Sequence, residues 1–392
     1  MPEASPVHES PAGPGFFRDV LWPFALTRLL LAGVAWFSAQ LSVSWSYPFP
    51  ESARRGFAFV PWALLDALGR WDSHWYLSVA RDGYQVRGPL ASVQSNVAFF
   101  PLYPWLVRAL DLLLPASLAG PRSLYLSALL LSNACALAAL ALVARVARRT
   151  TGSAEAASRA VLYLVVFPTG FVLSTAYPES LLLLLSAAAF LAAARGRFAS
   201  AGLLGFLAAL TRPGGVAVAA PIAWLALEPL EAGKEARPGK AAWALLPPLG
   251  LALHAAHLWR LTGDPLALFH AQAAWGRSLA PAWRTFLAPR DFHPFLGPLE
   301  AVALAGTAAL ALFLLRERRT RALGVLSLAS LVPISLSGTL LSATRFAAVL
   351  FPTFVALGIL GRRPAVDRAL LVGFSFAQAV LFAFWCRFFW VA

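Results

Sequence analysis

Apolar stretches recur along the chain from residue 20 to its C-terminal end, separated by polar connections. A helix needs about 20 predominantly apolar residues to cross a bilayer, and most of the stretches approach this length. The predicted spans cover residues 20–43, 124–146, 160–176, 179–194, 199–210, 214–227, 241–259, 298–315, 322–341, 346–360 and 369–390. The pattern therefore predicts an all-α fold, a polytopic transmembrane bundle of about ten or eleven spans.

Proline residues break or border several of these stretches, at Pro168, Pro178 and Pro213. Irregular backbone at membrane depth is tolerated only where protein or a water-filled cavity satisfies its hydrogen-bonding groups. The breaks therefore predict a cavity within the bundle rather than a surface that faces lipid.

Two long polar connections interrupt the series, at residues 45–121 and 260–297. The first contains an amphipathic segment, residues 62–81. Its apolar positions recur at helical spacing, with tryptophans suited to the membrane interface; they are Trp62, Leu65, Leu68, Trp75 and Val79. We expect this segment to form a helix that lies flat on the outer leaflet and holds Asp72 beside the membrane.

Composition agrees with a membrane protein. Hydrophobic residues make up 59% of the 392 positions and charged residues only 13%, whereas soluble domains carry about 25% charged residues. The net charge of +14 would suggest nucleic acid in a soluble protein, but arginine-rich cytoplasmic loops explain it here, and we expect no nucleic-acid partner. The two cysteines, Cys135 and Cys386, lie far apart inside apolar stretches and predict no disulfide or zinc site.

The basic residues fall in alternate connections, which sets the orientation. These clusters lie near residues 145–159, 195–197, 234–240, 316–321 and 362–368. By the positive-inside rule this side is cytoplasmic, and the two long connections face outward. We divide the chain into a short cytoplasmic tail, residues 1–19, and one transmembrane domain, residues 20–392, whose outer loops are residues 45–121, with the active-site helix, and residues 260–297.

Polar residues gather on the predicted outer side from distant parts of the sequence. They are Asp66, Asp72, His74, Arg81, Asp82, Tyr177, Glu179, Arg212, His257, Arg260, His270, Gln272, Arg277 and Arg345. Glu179, Arg212 and Arg345 each border an apolar stretch, where an ionisable side chain is costly and usually marks a site. Each arginine alone could be an interfacial charge that snorkels to water. The whole set favours one outward-facing cavity.

Motifs in this region form an ordered series. They are WDSHWYL at residues 71–77 with ARDGY at 80–84, NVAFFPLYP at 96–104, FP at 167–168 with AYPES at 176–180, ALTRPGG at 209–215 and TRF at 344–346. The series resembles the PIG-V-type mannosyltransferase family of the GT-C glycosyltransferase superfamily, and the short chain favours a bacterial relative. Pro178 and Phe346 stand where the family usually has Thr and Tyr.

The resemblance implies a GT-C fold with an outward-facing active site built on the first long loop. It implies an inverting mannose transfer from a polyprenyl-phosphate donor to a lipid-linked or glycan acceptor, at the outer face of the bacterial inner membrane and in contact with membrane lipids. The residues agree with this chemistry. A lipid phosphate can leave without its own acid if arginine meets its charge, and the sequence holds no motif for binding a nucleotide sugar.

Candidate roles follow from motif and position. Asp72 is the predicted general base, and Glu179 is a second catalytic candidate that could orient an arginine or a sugar hydroxyl. Arg212 and Arg345 are predicted to bind the donor phosphate, with Arg81 and Arg277 next. Residues predicted to contact substrate are Trp71, His74, Tyr76, Tyr177, Gln272 and His257.

Simpler explanations exist for some acidic residues. Asp66 has a helical i+4 partner in Arg70, so a surface ion pair accounts for it. Asp82 precedes Gly83 at a predicted helix end, where a turn role suffices. Glu179 could serve only as an N-terminal carboxylate that faces a helix dipole.

The sequence also fits two other functions. A transporter or lipid flippase would share the broken helices, although the sequence shows no repeat of two halves. The same fold could also transfer a different sugar from a polyprenyl-phosphate donor. No cofactor is expected, but a divalent metal site can be imagined from His254, His257, Asp264, His270, Asp291 and His293.

Overall fold

The computed structural model describes residues 14–40, 59–115, 120–230, 233–287 and 296–391, which form helices joined by turns, with no β-strand among them. A helical turn, Pro14–Phe16, and a π-helical turn, Phe17–Leu21, precede the first α-helix. The α-helices are α1 (Trp22–Gln40), α2 (Ala63–Ala67), α3 (Ser73–Asp82), α4 (Leu102–Asp111), α5 (Pro121–Thr151), α6 (Ala154–Val165), α7 (Glu179–Ala194), α8 (Phe198–Thr211), α9 (Ala219–Leu227), α10 (Leu246–Thr262), α11 (Ala267–Ala273), α12 (Ala282–Leu287), α13 (Leu296–Leu315), α14 (Arg318–Ser335), α15 (Ala343–Ala348), α16 (Phe351–Leu360) and α17 (Pro364–Cys386). Short 3-10 segments cover Asn96–Ala98, Gly170–Ser174, Pro213–Val218 and Pro238–Leu245.

The predicted all-α membrane fold is confirmed. Five helical stretches within the described residues are long and apolar enough to cross a membrane: Phe17–Gln40, Arg122–Thr151, Pro238–Thr262, Gly297–Leu315 and Pro364–Cys386. Shorter apolar helices are Glu179–Ala194, Phe198–Thr211, Pro213–Leu227 and Phe351–Leu360. The first span begins at Phe17, inside the predicted tail. The protein is a multi-pass membrane protein.

Helix α5 runs through the middle of the bundle and packs against α6 and α7, while α8 lies between α7 and α10. Small residues allow the close approaches. A Cβ atom added at Gly250 would lie 2.7 Å from the carbonyl oxygen of Phe206, and one added at Gly202 would lie 2.6 Å from that of Trp243. Close packing of this kind is the usual source of helix association in membranes, where burial of apolar surface supplies little.

The predicted span 160–176 is wrong in one respect, because it is not one continuous helix. Helix α6 ends at Val165, the 3-10 segment Gly170–Ser174 follows, and α7 begins at Glu179. Gln378 satisfies freed backbone groups, since its Nε2 donates to the carbonyl oxygens of Val165 and Phe167 at 2.9 and 2.7 Å. The irregular backbone is thus satisfied by protein, as membrane depth requires.

The amphipathic segment 62–81 is likewise not a single helix. Helices α2 and α3 are separated by a turn in which Trp71 has the left-handed φ of 56°. The predicted pair of Asp66 and Arg70 forms, but Asp66 is fully buried and Arg70 is 3% exposed, so the expected surface position is wrong. A buried charge needs such a partner, and the pair therefore fixes the corner that leads into α3.

The basic connections assemble at one end of the bundle. Arg321 pairs with Glu228 at 2.7 Å, which joins the first turn of α14 to the end of α9. Arg149 donates to the carbonyl oxygen of Ala194 at 3.3 Å, which joins the ends of α5 and α7. The breaks that follow α6 and α8 lie at the opposite end of the bundle from the basic connections. The start of α3 lies at that end too.

Candidate active site

Asp72 occupies the N-cap of α3 and is largely buried, with 12% of its side chain exposed. Its Oδ2 accepts a hydrogen bond from Nη1 of Arg345 at 3.1 Å. No described residue donates a hydrogen bond to Oδ1. Oδ2 is therefore fixed by a cation, while Oδ1 retains its capacity to accept a proton.

Tyr177 fixes the backbone of Asp72 through its hydroxyl group. Its hydroxyl accepts a hydrogen bond from the backbone N–H of Asp72 at 2.8 Å and donates one to the carbonyl oxygen of Arg70 at 3.1 Å. The ring is fully buried. The two bonds bracket Trp71, whose left-handed backbone turns the chain into α3. The prediction that Tyr177 contacts substrate is not supported by this burial, and its observed contacts are those of a positioning residue.

Glu179 and Arg212 form the second ion pair of the site. Glu179 is the first residue of α7 and is fully buried; its Oε1 pairs with Nη1 of Arg212 and lies 3.4 Å from Nε of Arg345. Oε2 makes no hydrogen bond within the described part of the chain. Glu179 is therefore more than a carboxylate that faces a helix dipole, because it links two arginines from distant helices.

Arg345 connects the two acidic residues. Burial acts to lower the pKa of its guanidinium, but Glu179 and Asp72 raise it above its ordinary value. The group is therefore a cation at neutral pH. Its contacts with both carboxylates make it the centre of the charged cluster.

The ring of Phe346 forms a platform for three guanidinium groups. Arg212, Arg277 and Arg345 lie 4.8, 5.3 and 5.9 Å from its centroid, within the range of a cation–π contact. The cluster of Asp72, Glu179 and these three arginines therefore carries three cations and two carboxylates.

Arg277 is the arginine whose charge is least compensated. Its Nη2 donates to the carbonyl oxygen of Leu341 at 3.1 Å. Burial and the neighbouring charges of Arg345 and Arg212 lower its pKa to about 10, while Asp72 and Glu300 act weakly in the other direction. At neutral pH Arg277 remains a cation, and an anion beside it would reduce the electrostatic repulsion among the three guanidinium groups.

The turn before Arg345 is fixed by hydrogen bonds with two other elements. Glu300 of α13 accepts a hydrogen bond from the backbone N–H of Ser342 at 2.7 Å, and Ser342 itself has a φ of 69°. The segment 278–280 pairs with the turn through backbone bonds from Ser278 to Ser337 and from Ala280 to Leu336. The second outer loop thus fixes the position of Arg345 relative to Arg277.

Three predicted substrate contacts lie on α3 or its entry. Trp71 packs edge-on against Trp390 with centroids 5.1 Å apart. Tyr76 is 6% exposed, packs edge-on against Phe99 and lies in the field of the charged cluster; burial raises the pKa of its hydroxyl above the usual value. His74 is exposed at the start of the helix, and its Nδ1 lies 2.7 Å from the carbonyl oxygen of Trp71.

The remaining predicted residues lie farther from the cluster or make other contacts. Arg81 is exposed at the far end of α3, where it pairs with Asp82 at 2.8 Å, so no described contact joins it to the other arginines. His257 is exposed on α10, 5.7 Å from the ring of Tyr84. Gln272 donates to the carbonyl oxygen of Ala98 at 2.9 Å and thereby joins the two outer loops.

The imagined divalent site does not assemble among the described residues, where no group of three or more His, Cys, Asp or Glu side chains is placed to hold a metal ion. His270 pairs with Asp264 at 2.7 Å, and both ring nitrogens of buried His254 are without hydrogen bonds to described residues. Asp291 and His293 lie outside the described residues. Metal dependence stays an open prediction.

Sequence reasoning missed several residues of the site. The sequence marked Phe346 only as a departure from a family motif, yet its ring makes cation–π contacts with the three arginines. Glu300 and Trp390 were not singled out, although Trp390 lies 5.4 Å below the guanidinium of Arg345. Glu300, an acidic residue within an apolar stretch, was the one signal that could have been found.

Two solved structures are similar to this chain to different degrees. ArnT from Cupriavidus metallidurans bound to undecaprenyl phosphate matches with a TM-score of 0.54 and 16% identity, over 95% of this chain and 65% of ArnT. The Archaeoglobus fulgidus oligosaccharyltransferase in the apo form matches with a TM-score of 0.47 and 15% identity, over 96% of this chain and 57% of its own. The chain therefore spans less than two thirds of either protein. The likeness to ArnT shows that the two proteins share an all-α membrane fold.

The sequence then identifies the family. A family model described as mannosyltransferase (PIG-V) matches residues 29–228, about half of the chain, and includes Asp72, Glu179 and Arg212. The chain belongs to the mannosyltransferase (PIG-V) family. No curated protein matches it. Arg277 and Arg345 lie beyond the matched range, and the fold brings them to the same site.

Proposed function

We propose that the protein is an inverting glycosyltransferase that moves mannose from a polyprenyl-phosphate donor to a lipid-linked or glycan acceptor, with Asp72 as general base. The observation that carries the proposal is the pairing of Asp72 with Arg345 inside a cluster of three arginines and two carboxylates. A single displacement at a sugar requires a base for the acceptor hydroxyl and cations for the leaving phosphate, and this cluster contains groups of both kinds.

The charge of the cluster supports a phosphate-linked donor. Asp72 and Glu179 compensate two of the three guanidiniums, and Arg277 retains its charge. Arginine is suited to bidentate contact with phosphate, and a phosphate beside Arg277 would lower the mutual repulsion of the arginines. ArnT, which has the same fold, was solved with undecaprenyl phosphate bound.

The proposed reaction needs one proton acceptor and one stabilised leaving group. Oδ1 of Asp72 takes the proton of the acceptor hydroxyl as its oxygen attacks the anomeric carbon of mannose. The bond between that carbon and the phosphate oxygen breaks, and its electron pair leaves with the polyprenyl phosphate, whose charge the arginines meet. One displacement on the opposite face of the sugar inverts the anomeric configuration.

The distribution of basic residues supports an extracytoplasmic site. The arginine-rich connections lie at one end of the bundle, and the charged cluster lies where α7 begins and α8 ends, at the other. By the positive-inside rule the cluster faces away from the cytoplasm. We place the protein in the bacterial inner membrane, with the donor and acceptor in its outer leaflet.

The test uses the full chain in nanodiscs with undecaprenyl-phosphate-[³H]mannose and, as acceptor, the lipid extract of cells that lack the gene. We expect a labelled product one hexose heavier than its acceptor by mass spectrometry. Asp72→Asn should lower turnover by about 10²–10⁴-fold while donor binding is kept. Asp82→Asn is the matched control, because Asp82 is a carboxylate at the other end of α3 and should leave turnover near that of wild type.

Several results would contradict the proposal. Wild-type turnover in a folded Asp72→Asn protein would remove Asp72 as the base. Transfer from GDP-mannose without a lipid donor would contradict the donor class. Movement of the lipid across the bilayer without any transfer would favour a flippase, and transfer of glucose but not mannose from matched donors would keep the reaction and change the sugar.

A further inference from the structure

The segment that follows α17, residues 387–391, brings an indole ring to the charged cluster. The ring of Trp390 lies 5.4 Å from the guanidinium of Arg345, within the range of a cation–π contact. It also packs edge-on against Trp71, with centroids 5.1 Å apart. Trp71 directly precedes Asp72 in the chain, and Arg345 donates a hydrogen bond to Asp72. Trp390 therefore contacts the two residues that flank the proposed base in sequence and in space.

Contacts with the rest of the protein fix this segment in place. Phe388 has the left-handed φ of 62°, which is rare for a bulky residue and persists only where the surrounding structure holds it. The guanidinium of Arg70 lies over the ring of Phe388 at 4.2 Å, and its Nε donates to the carbonyl oxygen of Cys386 at 3.4 Å. Val391 is buried. The residues before and after Trp390 thus hold its indole at the cluster.

Two buried hydrogen-bond donors in this contact have no acceptor among the described residues. They are Nε1 of Trp390 and Nε of Arg345. The second lies 3.4 Å from Oε1 of Glu179, which is an ion pair without the geometry of a hydrogen bond. Buried polar groups are nearly always satisfied, and a buried tryptophan N–H usually finds a partner. Two side chains in contact with each other therefore each offer an N–H group to a ligand.

The chemistry of these donors indicates which atom of a ligand they suit. An indole nitrogen donates a hydrogen bond and never accepts one, so its partner must be an acceptor. The guanidinium of Arg345 beside it favours an acceptor that carries negative charge. Neither Asp72 nor Glu179 accepts a hydrogen bond from Trp390. A phosphate oxygen is anionic and has several lone pairs, so one phosphate group can satisfy both donors.

We infer that Trp390 binds the phosphate group of the polyprenyl-phosphate donor, by donating its indole N–H to a phosphate oxygen that Arg345 also contacts. The inference rests on the proposed function, because the donor belongs to that reaction. Trp390 lies outside the range that the family model matches, residues 29–228. The bond that breaks in the proposed reaction joins the sugar to the phosphate oxygen, so the phosphate stays on the lipid. Trp390 therefore binds the lipid product as well, and the lipid phosphate without its sugar is a sufficient probe.

The test measures the Kd of undecaprenyl phosphate for the full chain in detergent micelles by microscale thermophoresis, with undecaprenol as the uncharged probe. Trp390→Phe keeps an aromatic ring beside Arg345 but loses the N–H. The Kd for undecaprenyl phosphate should therefore rise about tenfold, while the Kd for undecaprenol should not change. The melting temperature of the ligand-free variant should stay close to that of wild type, because the lost N–H has no acceptor among the described residues.

Trp385→Phe is the matched control, because it removes the same chemical group from a tryptophan five residues away. The indole N–H of Trp385 donates to the carbonyl oxygen of Ala67 at 2.8 Å. Its loss leaves that buried carbonyl without its donor and should lower the melting temperature, while the Kd for undecaprenyl phosphate stays at the wild-type value. A melting temperature lowered as far in Trp390→Phe as in Trp385→Phe would overturn the inference, since the N–H of Trp390 would then be satisfied within the protein.

The binding results separate this contact from the reaction. An unchanged Kd in Trp390→Phe, an equal rise for undecaprenol, or no binding of undecaprenyl phosphate to wild type overturns the inference, whatever the transferase assay shows. A rise confined to undecaprenyl phosphate, in a protein that never transfers a sugar, supports the contact and contradicts the proposed function. The same rise in a protein that does transfer mannose supports both.

Discussion

Nη1 of Arg345 donates to Oδ2 of Asp72 at 3.1 Å, although 273 residues separate them in the chain. The same guanidinium lies 3.4 Å from Oε1 of Glu179, so one cation holds two carboxylates that come from α3 and α7. Removal of one partner from a buried ion pair leaves an uncompensated charge. The arrangement therefore couples the position of the proposed base to the arginine cluster.

We expect Arg345→Lys to lower turnover by about 10–100-fold and to reduce thermal stability. Lysine keeps the charge, but it cannot reach both carboxylates in the planar geometry of a guanidinium. Turnover and melting temperature in nanodiscs are the measurements. Arg284→Lys, in the second outer loop, is the control and should change neither, because the guanidinium of Arg284 lies over Trp283 and makes no ion pair with the described residues. Unchanged activity in Arg345→Lys would show that the bridge is dispensable.

Tyr177→Phe should lower the rate constant kcat more than it changes donor affinity. The hydroxyl bonds the backbone of Asp72 and of Arg70, and its loss leaves a buried donor and acceptor unsatisfied, at a cost of about 1–3 kcal/mol. Tyr103→Phe is the matched control, because it removes a buried hydroxyl bonded to Ser132 and Ala128 instead. A similar loss of stability in both variants, with a loss of kcat in Tyr177→Phe alone, would separate positioning from packing.

Gly338→Ala should disturb the turn before Arg345. Gly338 has a φ of 73°, and an added Cβ would lie 2.9 Å from the carbonyl oxygen of Ser278. Gly263 has a φ of 74° but open space around it. Gly263→Ala should therefore cost only about 1–2 kcal/mol of backbone strain, while Gly338→Ala should cost more and also lower turnover. Equal melting temperatures and equal turnover for the two variants would contradict this role.

Much of the architecture follows from the sequence. The apolar stretches determine that the chain is a multi-pass helical protein, because a bilayer leaves every backbone group to be satisfied inside its own segment. The arginine-rich connections indicate which loops share a side. The order of motifs from Trp71 to Phe346 identifies the family before any coordinate is known, and the proline breaks locate the irregular backbone beside Glu179.

The assembly of the site was decided by tertiary structure. Periodicity predicted one amphipathic helix over residues 62–81, but the buried pair of Asp66 and Arg70 and the left-handed turn at Trp71 divide it and place Asp72 inside the protein. Local pattern could not show this, because burial depends on what packs from elsewhere in the chain. The same limit applied to Arg81 and Arg277, which the sequence did not distinguish. Arg81 pairs with its neighbour Asp82 at the surface, whereas Arg277 lies over Phe346 in the cluster. Which charges compensate one another is a matter of distances between helices, and these are set only when the whole bundle has packed.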